Sequence, residues 1–81
     1  RPYKIRIMAD NARAMAASLV RTDYVDSVAI DGDGALIVLS KNIARLQRAV
    51  PKLAQEGNIR LRRVEPLDES LESVFSYLVK G

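Results

Sequence analysis

The side chains available for chemistry in this chain are carboxylates, lysines, arginines and hydroxyls, because neither Cys nor His occurs in it. That absence removes thiol and imidazole nucleophiles, Cys/His zinc sites, redox cysteine pairs and any Ser-His-Asp relay. Acidic residues gather at Asp23, Asp26, Asp31 and Asp33. Nothing in their spacing marks a pair of carboxyls with separated pKa values, as acid–base hydrolysis requires, so they read as solvated charge. Asp31-Gly32-Asp33-Gly34 resembles the opening of a calcium loop. Such a loop needs an oxygen ligand at its fifth position and a Glu at its twelfth, and here those places hold Ala35 and Asn42. A tight hairpin turn is the better account of these four residues. The glycines at 32, 34, 57 and 81 fit neither a dinucleotide fingerprint nor a phosphate-cradling loop. The sequence is therefore expected to be non-catalytic, with no metal or cofactor of its own.

Positioning any surface falls to a small scaffold. The chain has 81 residues, 48% of them apolar and 28% charged, which predicts one globular domain spanning 1–81. Thirteen basic residues against ten acidic ones give a net charge of +3, a mildly positive field. The longest apolar run, Ala35 to Leu39, is far short of the roughly 20 residues that span a bilayer, so no direct membrane insertion is expected. The chain opens Arg1-Pro2-Tyr3 without an initiator Met and reads as a fragment of a longer protein.

Tyr3, Ile5 and Ile7 alternate with Lys4, Arg6 and Met8, the period of a half-buried strand. Asp10 or Asn11 caps a helix whose apolar positions run Ala12, Met15, Ala16, Leu19, Val20 and which ends by Asp23. Val25–Ile30 and Ala35–Leu39 are β-branched-rich runs flanking the Asp-Gly turn, and they predict an antiparallel hairpin. With a loop of two or four residues, Ile30 falls opposite Ala35, Ala29 opposite Leu36 and Val28 opposite Ile37. Val28, Ile30, Ala35, Ile37 and Leu39 then share one face, and Ser27, Ala29, Leu36 and Val38 the other. Ser40 or Asn42 caps a second helix with Ile43, Leu46, Val50, Leu53 and Ala54 on its apolar side, stopped by Gly57-Asn58. Pro51 is expected to kink or divide it. Ile59–Arg62 reads as a fourth strand, broken at Glu65-Pro66, and Leu71, Val74, Phe75 and Leu78 predict a last amphipathic helix. The order is that of a ferredoxin-like βαββαβ unit: an α+β domain with a four-stranded antiparallel sheet, two helices on one face and a C-terminal helix. Right-handed crossovers place the first and third strands in the middle.

In that register Lys4, Arg6, Arg60 and Arg62 flank Leu36 and Val38 on the open side of the sheet. This pattern fits a solvated face with Arg and Lys stems over the apolar centre. It also fits a contact surface for another domain, a second copy or a partner chain. RNA-recognition modules share the strand order, but they stack bases on aromatic side chains of the central strands. The third strand has none, so no nucleic acid partner is expected.

Pro66 followed by Ser70-Leu71-Glu72-Ser73-Val74-Phe75 resembles the closing signature of ATP-binding subunits of ABC transporters, the exporter type that pairs with a separate permease. The pattern before it, Leu53–Gly57 then Ile59–Val64, is similar to the accessory domain that follows the ATPase core in that family. Ser73 departs from it, since an acidic residue is more common there. The resemblance implies that the phosphate loop, the signature sequence and the metal-binding carboxylate lie upstream, so ATP and Mg belong to the parent. It implies a regulatory or interaction domain, located in the cytoplasm at the inner face of the membrane. Its partners would be the ATPase core of the same chain, a second ATPase subunit, the permease and, in one version, a homodimer mate. Ser70, Leu71, Glu72, Val74 and Phe75 are the residues that carry it. A second class of reading is an amino-acid-sensing regulatory domain, although the Ala9-Asp10-Asn11 loop lacks the glycine such sites favour.

Overall fold

Strand β1, Tyr3–Ala9, follows from its alternation, with Ile5, Ile7 and Ala9 buried and Lys4 exposed on the other side. The structure is a computed structural model that describes residues 3–32 and 34–67; the expected C-terminal helix lies outside them. Asn11 caps α1, Ala12–Val20, by accepting a hydrogen bond from the Ala14 N–H at 3.1 Å. Helix α1 buries Met15 and Leu19 and leaves Val20 exposed. The hairpin β2, Ser27–Ile30, and β3, Ala35–Ser40, comes next. Asn42 caps α2, Ile43–Glu56, through the Arg45 N–H at 3.2 Å. β4, Leu61–Pro66, completes a four-stranded antiparallel sheet in the order β2-β3-β1-β4. This is the ferredoxin-like α+β arrangement, with β1 and β3 central as right-handed crossovers require.

Both helices cover the same side of the sheet. Ile5, Ile7, Leu36 and Val38 from the strands meet Met15, Leu19, Leu46 and Val50 from the helices in one fully buried cluster. Each such side chain contributes about 1.5–3 kcal/mol when removed from water. Ser40 is a buried polar residue of this layer, and its hydroxyl is engaged both ways: it donates to the Tyr24 carbonyl and accepts from the Asn42 N–H at 3.0 Å. One side chain thereby ties the turn before β2 to the end of β3 and the start of α2.

The hairpin register differs from the sequence expectation by one residue. Ile30 pairs with Leu36, Ala29 with Ile37 and Val28 with Val38. The cause is the turn. Asp31 N–H donates to the Ala35 carbonyl and Ala35 N–H to the Gly32 carbonyl, both at 2.8 Å, so Asp31 extends the pairing to stand opposite Ala35 and a three-residue loop, rather than one of two or four, closes the hairpin. Gly34 has φ 80°, and a Cβ there would stand 2.8 Å from the Ala9 carbonyl oxygen. The chain can make this turn against the end of β1 only with glycine. A one-residue shift exchanges the two faces. Leu36 and Val38, expected on the open side, are wholly buried beneath the helices.

Two other boundaries move for identifiable reasons. α2 is not divided at Pro51: the helix buries Val50 and Ala54 on either side of it, and that packing outweighs the roughly 3 kcal/mol an internal proline costs. β4 begins at Leu61 rather than Ile59, because Ile59 finishes α2. Its N–H donates to the Ala54 carbonyl at 2.8 Å, the Asn58 N–H donates to Gln55 at 3.1 Å, and Asn58 takes φ 52°. That is a Schellman motif, with Ile59 buried as its hydrophobic partner. At the other end β4 runs through Glu65 to Pro66. Leu67 N–H donates to the Lys4 carbonyl at 2.8 Å, so the neighbouring Pro66 nitrogen points away from β1, where an edge strand tolerates proline.

Candidate interaction surface

The registers on either side of β1 define the open face as three rows running across the sheet. Ser27, Leu39, Lys4 and Leu67 form the first, Ala29, Ile37, Arg6 and Glu65 the second, and Ala35, Met8 and Arg63 the third. The strip over β2 and β3, together with Met8 on β1, is apolar, and Lys4, Arg6, Arg63 and Glu65 on β1 and β4 make the other side charged. Ile37, Leu39 and Met8 are half-buried, and Leu67 is 40% exposed. Lys4 and Arg6 therefore stand where the sequence placed them, but their apolar neighbours are Leu39 and Ile37, not Leu36 and Val38.

Arg60 and Arg62 are corrected as well. Arg60 precedes β4, and its carbonyl accepts the Asp10 N–H at 3.0 Å. The pairing of β1 with β4 slips between Met8 and Ala9, so Arg62 is the extra residue of a bulge. It turns out of the row, and its Nε hydrogen-bonds and ion-pairs with the Asp10 carboxylate. In its place the open face carries Arg63 and Glu65. Glu65 lies between two guanidiniums, 4.0 Å from Arg6 and 3.6 Å from Arg63. Solvent-exposed pairs of this kind stabilise by about 0–1 kcal/mol each, so their main effect is on the pattern of charge. The Arg6 Nε is shielded from solvent and has no hydrogen-bond partner among the described residues. Sequence reasoning missed Glu65 and Arg63 because it ended the strand before them, and the bulge at Arg62, which leaves Leu61 opposite Ala9 on the helix side, breaks the alternation that would have placed them.

A shallow depression of about 340 Å³ also opens between the C-terminal ends of α1 and α2, lined by Ser18, Arg21, Thr22, Leu53, Glu56 and Gly57. Its charged groups, Arg21 and Glu56, both occupy helix ends, and no set of converging catalytic groups forms there. Tyr24, in the turn before β2, is engaged by the Arg45 guanidinium 4.5 Å above its ring, and Arg45 also lies 3.5 Å from Asp23. Ser70, Leu71, Glu72, Val74 and Phe75 lie outside the described residues. Among the described residues no helix is long and apolar enough to cross a membrane. Comparisons with family models, with curated proteins and with solved structures give no match to this chain.

Proposed function

We propose that this domain is a non-catalytic interaction module that makes its contact through the open sheet face, as an accessory domain of an ATP-binding subunit of an export transporter. The observation that carries the interaction reading is the combination, on one face, of half-buried Ile37, Leu39 and Met8 with Lys4, Arg6 and Arg63. Apolar area bordered by arginine is the composition of protein contact surfaces. The transporter assignment rests on the resemblance of Ser70–Phe75 to the family's closing signature, following a βαββαβ unit. In that setting the domain hydrolyses nothing itself. It biases how the ATPase core of its own chain, a second ATPase subunit and the permease assemble, and it resides at the inner side of the membrane through those partners.

The test is the sequence N-terminal to Arg1 in the intact polypeptide. The expected finding is a phosphate-cradling loop, an ABC signature and a strand ending in Asp-Glu; an unrelated domain, or a polypeptide that starts at Arg1, overturns the transporter assignment. In an intact subunit, Ile37→Glu combined with Arg6→Glu should alter ATPase stimulation by the permease. Unchanged stimulation would remove the sheet face from the proposal.

A further inference from the structure

The open face has an apolar half and a cationic half, and β4 delivers the chain to its edge. Leu67 lies on this face in the row of Lys4, so whatever follows it starts beside the cations. The residues that follow are Asp68, Glu69 and, one turn on, Glu72; thereafter Leu71, Val74, Phe75 and Leu78 recur at helical spacing. We propose that residues 68–81 of this chain are the occupant of the open face, laid across it as an amphipathic helix. Leu71, Val74, Phe75 and Leu78 then cover Ile37, Leu39 and Met8, and the acidic first turn meets Lys4, Arg6 and Arg63.

Length, charge and entropy each favour this occupant. Fourteen residues in a helix extend about 21 Å at 1.5 Å per residue, against about 14 Å for the width of four strands, so the segment reaches β2 from β4. The segment carries three carboxylates against Lys80, and the face carries three cations against Glu65, so opposite charges meet. A second copy of the face would instead bring two cationic excesses together. A tethered segment also competes at an effective concentration on the order of millimolar, which a free partner rarely matches. The helix side offers less, because α1 and α2 already fill it and, among the described residues, leave scattered exposed apolar side chains at Tyr3, Val20, Ile30 and Val64 rather than a continuous strip. The inference holds or fails separately from the transporter assignment, since it concerns only this chain's own contacts. Its consequence for the proposed function is that a partner reaching the apolar half must displace the segment.

The experiment is isotope-edited NOE spectroscopy on the 81-residue chain, in which Phe75 is the single phenylalanine. The expected result is a set of NOEs from the Phe75 ring to the methyls of Ile37 and Leu39, with upfield ring-current shifts of those methyls. Both are lost in Ile37→Asp and in Leu78→Asp, while NOEs between Leu19 and Leu36 persist. Phe75 contacts to Tyr3 and Val64 instead, no contact to any sheet methyl, or contacts seen only between differently labelled copies in a mixed sample would each overturn the proposal. The wild-type NOEs decide it even if a variant fails to fold.

Discussion

The neighbours Leu36 and Ile37 should lose stability unequally on mutation, and the sign of the difference reads the hairpin register directly. Leu36 has no exposed surface and is packed in the cluster beneath both helices, whereas Ile37 is half-buried on the open face. Truncating a fully buried leucine to alanine costs about 2–5 kcal/mol, the transfer free energy of the lost methyls plus the cavity left behind. At about 0.05–0.15 kcal/mol per residue the whole domain is stable by roughly 4–12 kcal/mol, so Leu36→Ala removes a large share of it. Ile37→Ala loses only the buried part of its surface, at a contact that residues 68–81 can leave without unfolding the sheet, a cost of about 1 kcal/mol. Urea denaturation followed by far-UV circular dichroism should show Leu36→Ala with a midpoint well below that of Ile37→Ala, at a common slope. Polar replacements widen the gap: Ile37→Lys should fold, Leu36→Lys should not. Equal losses for the two alanine variants, or a larger one for Ile37→Ala, would refute the three-residue turn and the assignment of faces built on it.

Gly34→Ala should destabilise by more than 1 kcal/mol, because a Cβ meets the Ala9 carbonyl at 2.8 Å as well as an unfavourable φ; Gly32→Ala, which has φ 52° but no atom within 4 Å, should cost about 1 kcal/mol, and thermal melts of the pair separate strain from clash. Ser40→Ala leaves the part-buried Tyr24 carbonyl and Asn42 N–H without their shared hydroxyl and should cost about 1 kcal/mol, with Ser40→Cys recovering little of it in chemical denaturation. Asn58→Gly should raise the melting temperature by a few degrees, since the left-handed position closing α2 suits glycine better; Asn58→Val should lower it.

Elements with a clean period were legible, and those whose pattern permits two answers were not. Ile5 and Ile7 alternate strictly with Lys4 and Arg6, and β1 is where the sequence placed it; Asn11 and Asn42 begin their helices because their side-chain oxygens meet otherwise unpaired N–H groups. Ala35 to Leu39, by contrast, is apolar at every position, so the run contains no information about which parity faces inward. Only the turn could decide, and Asp-Gly-Asp-Gly accommodates loops of two, three or four residues. Ile59 carried a similar ambiguity. Its type suits a strand, but following Asn58 it is also the apolar residue that a Schellman motif buries, and the hydrogen bond to Ala54 shows which role prevailed.

That single step of parity changes the character of the candidate surface more than its stability. Leu36 and Val38 are close in volume to Ile37 and Leu39, so either register could fill the core, and hydrophobic burial alone discriminates weakly between them. What it alters is the company the apolar residues keep. In the register expected from the sequence the face would pair Lys4, Arg6, Arg60 and Arg62 with Leu36 and Val38, a purely cationic border. In the structure Arg62 is tied to Asp10, and Glu65 stands between Arg6 and Arg63. A phosphate backbone gains affinity with each cation it neutralises and loses it beside a fixed carboxylate. An amphipathic helix with a few acidic residues at one end instead matches an alternating charged strip beside an apolar one, and Asp68 to Leu78 is such a sequence in this chain.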